Sequence, residues 1–180
     1  MRKGNIKVSR WVAISGSWAY ATKKEEKDVR DIVRKILEKG EGIVTGGALN
    51  VDSFATDEVI KFDPNCRYIK IFLPTTLSLY SKHYRKRAKE GVITENQAEK
   101  LIAQLKFIKR ANPGAIIENK TNKVVDKKAY FQRNQDIVEA ADELITFHVI
   151  ESTGGGTLDT IEKAKKRGIP VKSFNYKLGK

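Results

Sequence analysis

The run "ELITFHVIESTGGGTLDTIEKAKKRGIPVKSFNY", Glu143 to Tyr176, contains a complete structural unit. Its first eight residues, Glu143 to Ile150, are almost continuously apolar, as in a strand covered on both faces. Three glycines follow, Gly154 to Gly156, and then Thr157 opens a helical pattern that Gly168 stops. Ile169 to Tyr176 reads as another strand. A strand, a glycine turn, a helix and a second strand make a βα unit, and two parallel strands need such a crossover between them.

The same pattern recurs upstream. "WVAISG" (Trp11 to Gly16) is a short apolar run, and after it Thr22 with Glu25 forms a capping box. Val29, Ile32, Val33, Ile36 and Leu37 then recur at helical spacing before Gly40. "GIVTGG" (Gly42 to Gly47) predicts a second strand and Val51 to Phe62 a helix, while "YIKIFLP" (Tyr68 to Pro74) predicts a third strand closed by proline. Thr94 with Gln97 caps a helix over Glu95 to Arg110, and "GAIIE" (Gly114 to Glu118) suggests a short strand. "NKTNKVVDKK" reads as a loop or hairpin, and "RNQDIVEAAD" as a helix. The alternation predicts an α/β chain: a three-layer, Rossmann-like, doubly wound and mainly parallel sheet with a basic helical insertion over about 78–112. A chain of 180 residues with 40% hydrophobic content suits one core, so 1–180 is expected to be a single domain.

Formal net charge is +13 and the sequence pI is about 9.7. Anionic partners are favoured on electrostatic grounds, although a lysine-rich, heat-adapted surface has the same composition. Cys66 is the only cysteine, which excludes an intramolecular disulfide and a four-cysteine zinc site. The basic start "MRKGNIKVSR" is not followed by an apolar stretch of signal-peptide length, and no apolar run reaches membrane-span length. A cytoplasmic protein with no membrane association is expected. His83 and His148 are far apart with no ligand-like spacing, so no metal site is expected.

Ligands of such sheets sit beyond the carboxyl ends of the strands, where the strand order reverses. Three strand-to-helix joins share a chemistry: "SGSWAYAT" with Gly16, Ser17 and Trp18, "TGGALNVD" with Gly46, Gly47 and Asp52, and "ESTGGGTLD" with Ser152, Gly154, Gly155, Gly156 and Thr157. Glycine admits close approach to the main chain, and the first amides of a helix point outward with partial positive charge. Such a join can seat a phosphate, or it can be a tight turn that only packs a helix on a strand. Neither G-x-G-x-x-G nor G-x-x-x-x-G-K-[ST] occurs, so an ordinary NAD site or ATPase loop is disfavoured and no resident cofactor is expected.

In the same order, "VAISGS", "VTGGALNVDSFA", "FQRNQDIVEAADELITF" and "ESTGGGTLDTIEKAKKRGIPV" resemble the Rossmann-like core of the DprA/Smf DNA-processing proteins. More broadly they resemble the superfamily that joins these to the LOG, or lysine decarboxylase-like, proteins. The resemblance covers most of residues 11 to 175, and its most specific element is Phe131-x-Arg133-Asn134. It implies a phosphate pocket built from Gly16, Ser17, Gly46, Gly47, Arg133, Asn134 and Gly154 to Thr157. In DprA-like proteins that pocket receives single-stranded DNA, and in LOG-like enzymes a nucleoside monophosphate. Two departures stand out. Trp18 occupies a position where DprA-like proteins usually carry arginine. The LOG pattern P-G-G-x-G-T-x-x-E would put its proline at Ser152 and its catalytic glutamate at Thr160. No catalytic residue is therefore assigned, unless Asp159, Glu151 or Asp52 substitutes.

Trp18 could stack on a base or simply cover a loop. Asp52 could contact a ribose hydroxyl or cap a helix. Arg133 and Asn134 begin a predicted helix, where the guanidinium is expected to grip an anion, so that Arg133→Ala weakens binding with little effect on folding. Tyr80 to Asn112 has nine Lys or Arg against three Glu, with Tyr80 and Tyr84 interleaved. That suits single-stranded nucleic acid, and equally a solvated helix face. Three functions stand: a non-catalytic DprA-like protein binding a nucleotide or single-stranded DNA phosphate; a LOG-like nucleoside 5'-monophosphate phosphoribohydrolase; and a nucleotide-sensing partner protein with homo-oligomer contacts through the insertion.

Overall fold

In the computed structural model, which describes residues 7–152 and 155–179, six strands form one sheet. They are β1 (Trp11–Gly16), β2 (Gly42–Thr45), β3 (Ile69–Leu73), β4 (Ile116–Glu118), β5 (Glu143–Val149) and β6 (Val171–Tyr176). The order across the sheet is β4-β3-β2-β1-β5-β6, and every pairing is parallel. Six helices connect them: α1 (Lys23–Glu38), α2 (Val51–Phe62), α3 (Leu77–Lys89), α4 (Glu95–Ala111), α5 (Lys127–Glu139) and α6 (Gly156–Arg167). Strands are added on one side of β1 up to β4 and then on the other side from β5. The order thus reverses between β1 and β5, and their carboxyl ends flank a crevice.

Period-2 alternation sorts the side chains onto two faces. Val12 and Ile14 of β1, Ile43 of β2 and Phe147 of β5 join residues such as Val33 of α1, Val59 of α2 and Leu105 of α4 in the larger core. Ala13, Val44 and Leu144 face the other way, onto Ile137 and Val138 of α5 and Ala164 of α6. Each fully buried Val, Leu, Ile or Phe contributes about 1.5–3 kcal/mol relative to exposure, so the sheet is held mainly from the α1–α4 side. The two apolar faces explain why the inner strands read as continuous apolar runs.

The insertion expected over about 78–112 is the connection from β3 to β4, made of α3 and α4. Its tyrosines are packed inward and do not form an exposed surface on the helix. Tyr80 and Tyr84 are buried in the larger core, edge-on to each other at 4.9 Å, and Tyr80 Oη donates to the Gly47 carbonyl at 3.2 Å. Lys82, Arg85, Lys86 and Lys89 of the same helix are exposed, and Arg85 meets Glu99 at 2.7 Å. Residues 119–125 form a loop without strands, turned by Asn119 Oδ1, which accepts from the amides of Thr121 and Asn122. α5 begins four residues before Phe131 because Asp126 caps it, accepting from the Ala129 amide at 2.8 Å. Among the described residues, no helix is long and apolar enough to cross a membrane.

Candidate functional site

The first join leaves β1 at Gly16. A Cβ there would lie 2.4 Å from the Phe147 carbonyl oxygen and 2.5 Å from Val51 Cγ2, so only glycine lets the start of α2 close over the ends of β1 and β5. Ser17 is buried and ties the same two strands: its amide donates to the Phe147 carbonyl at 3.2 Å, and its Oγ accepts from the Val149 amide at 3.0 Å. Trp18 then emerges, 37% exposed, with its carbonyl accepting from Asn50 Nδ2 at 2.5 Å.

The second join is closed from within. Asp52 Oδ2 accepts from the amides of Gly46 and Ala48, each at 3.1 Å, and the Gly47 amide donates to Thr45 Oγ1 at 3.4 Å. The amides expected to meet an incoming anion are therefore spent on the chain's own side chains. Gly46 and Gly47 also lie outside the cavity described below. Arg133 completes this closure: it donates through Nη1 to the Gly46 carbonyl at 2.9 Å and through Nη2 to Asn134 Oδ1 at 3.1 Å. Its guanidinium lies over the Tyr130 ring, 5.1 Å from the centroid. Burial pushes the Asp52 carboxyl above its ordinary pKa, while Arg133 and the two amides hold it down. Arg133 thus braces the second join through two of its donors while its guanidinium also lines the cavity described below.

The third join behaves differently. Gly154 lies outside the described residues. Among the described residues no side chain caps α6 at Gly155 and none caps α2 at Asn50, whereas the side chains of Thr22, Thr76, Thr94 and Asp126 cap α1, α3, α4 and α5. The first amides of a helix have no acceptor within it, so those of α6 are left to other partners. Asn134, buried on α5, orients this end: its Nδ2 donates to the Gly156 carbonyl at 3.3 Å and to Asp159 Oδ2 at 3.0 Å. Thr160 Oγ1 adds a bond to the same carbonyl at 2.9 Å. A Cβ on Gly155 or Gly156 would meet nothing within 4 Å.

A cavity of about 410 Å³ opens between these elements. Gly16, Ser17, Trp18, Asp52, Arg133, Asn134, Ser152, Gly155, Gly156 and Thr157 all line it. Its far walls were not anticipated as site residues. His83, Tyr84 and Arg87 come from α3, Ile93 from the turn before α4, and Val125 to Lys127, Tyr130 and Phe131 from the start of α5. The α3 residues share one helix face at spacings of three and four, a signal that means nothing until α3 is known to border the crevice. Tyr130 precedes Arg133 by three residues and belongs to the same face. Burial, together with Arg87 and Lys86, lowers the His83 pKa, and its Nε2 lies 3.5 Å from Tyr130 Oη. The site therefore has an apolar and aromatic side against α3 and α5 and an amide-rich side against α6.

The carboxylates that could have replaced a LOG-type glutamate are all engaged. Asp159 is paired with Lys163 and accepts from Asn134, and Glu151 accepts from the Leu178 amide at 3.1 Å. Asp52 holds the second join.

Comparison with known proteins identifies the architecture. DNA processing protein A from Helicobacter pylori, described for its unique single-stranded DNA binding mode, aligns with a TM-score of 0.68 at 21% identity, over 97% of this chain and 69% of that one. DprA from Streptococcus pneumoniae aligns at 0.60 and 20% identity over 93% of this chain, which spans only 50% of the pneumococcal protein. The molybdenum cofactor binding protein from Rippkaea orientalis aligns at 0.59 and 18% identity, over 93% of this chain and 77% of that one. No family model and no curated protein matches by sequence. The chain has a DprA-like Rossmann fold, and the molybdenum cofactor carriers are built on related ones.

Proposed function

We propose that this protein binds, without transforming it, the phosphate of a nucleotide, either free or as a unit of single-stranded nucleic acid, at the N-terminus of α6. The observation that carries this reading is the uncapped start of α6, facing a cavity whose opposite walls are aromatic and basic. First-turn amides with no side-chain partner among the described residues, together with the helix dipole, favour an anion there. Ser17 adds a hydroxyl that accepts from Val149 and has no protein acceptor for its own proton among the described residues. Trp18 and Phe131 offer aromatic surface to a base. The net charge of +13 favours polyanions, and the Helicobacter relative with this fold is described for single-stranded DNA binding.

A phosphoribohydrolase acting here would need a carboxylate near the sugar, and Asp159, Glu151 and Asp52 are each tied to other groups. Hydrolysis would register as free base released from nucleoside monophosphates, and none is expected.

The binding test is a titration of labelled oligothymidylate at several salt concentrations, followed by anisotropy. Each phosphate gripped should contribute about 0.7 to the slope of log affinity against log salt. Gly155→Val should fill open space at the cavity edge and abolish binding while leaving the fold intact. Wild-type affinity in a folded Gly155→Val protein would refute the α6 seat.

A further inference from the structure

Resting on the reading of the cavity as a nucleotide site, we infer that Arg87 and Trp18 form a single recognition pair, in which Arg87 grips the phosphate of the nucleotide whose base stacks on Trp18. The glycine joins do not point to Arg87, and the charge pattern marks only the basic run of 80–112 that contains it.

Elimination carries the first part. Three cations line the cavity: Arg87, Lys127 and Arg133. Arg133 commits Nη1 to the Gly46 carbonyl and Nη2 to Asn134, and its Nε, which has no partner among the described residues, is buried out of a ligand's reach. The Lys127 ammonium, also over an aromatic ring at 5.2 Å from the Phe131 centroid, is a compact point charge without the planar fork of donors that Arg87 presents. The Arg87 side chain makes no hydrogen bond within the protein among the described residues. Its one ionic neighbour, Glu90, is 3.9 Å away, too far for a hydrogen bond. A guanidinium in that position keeps its planar fork of donors free, the geometry that matches a phosphate bidentately.

Position carries the second part. Arg87 comes from α3 and Trp18 from the loop after β1, so distant stretches of the chain bring them to the same cavity. They meet with the guanidinium carbon 5.9 Å from the indole centroid, within the range of a cation–π contact. The contact fixes the indole while leaving 37% of Trp18 exposed. The acids in the lining do not compete for Arg87, because Asp52 holds two amides and Asp126 caps α5. An aromatic face and an unspent guanidinium in contact at one cavity suit a nucleotide, whose base and phosphate lie only a ribose apart.

Trp11 and Trp18 are the only tryptophans, so a Trp11→Phe protein reports ligand at Trp18 by fluorescence. The probes are thymidine 5'-monophosphate and oligothymidylate, titrated against Arg87→Gln, Arg87→Lys, Trp18→Leu and Gly155→Val in that background. Arg87→Gln should weaken both probes about tenfold and lower the oligonucleotide salt slope by about 0.7, one phosphate contact. Arg87→Lys should keep the slope and lose part of the affinity, because a point charge replaces the fork. Trp18→Leu should weaken both probes with the slope unchanged. Wild-type affinity and slope in Arg87→Gln, with Gly155→Val still abolishing binding, would overturn the pair and leave the α6 seat standing. A loss confined to the oligonucleotide would also overturn it, since Arg87 would then hold a neighbouring phosphate. Undiminished binding in Gly155→Val would remove the site and the pair together. Thermal melts of each variant identify any loss caused by unfolding, and Arg87→Lys retains the charge should Arg87→Gln fail to fold.

Discussion

Replacing Arg133 with alanine should unfold the protein more readily before it affects any ligand. The side chain donates to the Gly46 carbonyl at 2.9 Å and to Asn134 Oδ1 at 3.1 Å, and it is the cation that opposes the burial of Asp52. Hydrogen bonds to a charged group contribute about 1.5–3 kcal/mol each, and breaking up a buried charge arrangement by removing one partner costs about 3–5 kcal/mol. These figures overlap because they describe the same contacts, so about 3–5 kcal/mol is the expected total. Asp52 keeps its two amide donors, which places the loss toward the lower end. For a chain of this size each kcal/mol lowers the melting temperature by about 2–4 °C, so Arg133→Ala should melt roughly 10 °C below wild type. The deficit should depend on pH. The Asp52 pKa is raised in the folded protein, so protonation favours folding, and stability contributed by this group declines as pH rises through its folded value. Without Arg133 that pKa rises further. The gap between variant and wild type should therefore shrink in acid, where the carboxyl is neutral in both. Arg133→Ala/Asp52→Asn should recover part of the loss at neutral pH, because no charge is then stranded. Calorimetric melts at pH 5 and pH 8 provide the measurement. A melting temperature within about 2 °C of wild type at pH 8 would refute the assignment of Arg133 to the core.

Glu25 is fully buried with its Oε1 unpaired, and burial pushes its pKa up to about 7 from 4.5. Its folded pKa exceeds the unfolded one, so the stability it contributes is complete below about pH 4.5 and is lost as pH rises through 7. Glu25→Gln keeps an acceptor for the Thr22 amide, and urea midpoints should show it more stable at pH 8 by up to about 3 kcal/mol, with the advantage gone at pH 4.5. Gly16→Ala should destabilise by about 1–3 kcal/mol in urea unfolding, because its methyl group meets the Phe147 carbonyl and Val51; an unchanged midpoint would mean that α2 can retreat. Gly155→Val should melt close to wild type, since its side chain enters open space; a fall of several degrees would mean that the start of α6 is packed more tightly than its geometry indicates.

Local patterns carried most of the secondary structure. The capping boxes at Thr22 with Glu25 and Thr94 with Gln97 both form, and their helices start where those residues put them. Capping needs only four consecutive residues, so it is legible without knowing the fold. α3 carried no such legible pattern. Its lysines and arginines concealed that Leu77, Tyr80, Ser81 and Tyr84 make a buried face, and its tyrosines read as a surface they do not form. The start of α5 was missed because Asp126, its cap, sits inside a polar run that resembles a loop throughout.

At the site the division follows the same physics. The three glycine joins could be found from sequence because a β-strand, a turn and a helix are contiguous, and the backbone freedom of glycine is a local property. Their fates could not. Whether an amide is free depends on which side chain reaches it: Asp52 ties the Gly46 and Ala48 amides of the second join, while no side chain among the described residues caps the start of α6. Arg133 looked identical to an anion-gripping arginine until the carbonyl of Gly46, 87 residues away in the chain, was found beneath it. Arg87 and Trp18 meet only because the crossover between β3 and β4 brings α3 to the crevice beside β1. The order of residues determined the layers, the parallel sheet and the end of it where ligands belong. The tertiary structure alone decided which of those donors are already spent, because hydrogen bonds and ion pairs join groups by proximity in space, and distant stretches of the chain supply most of the partners.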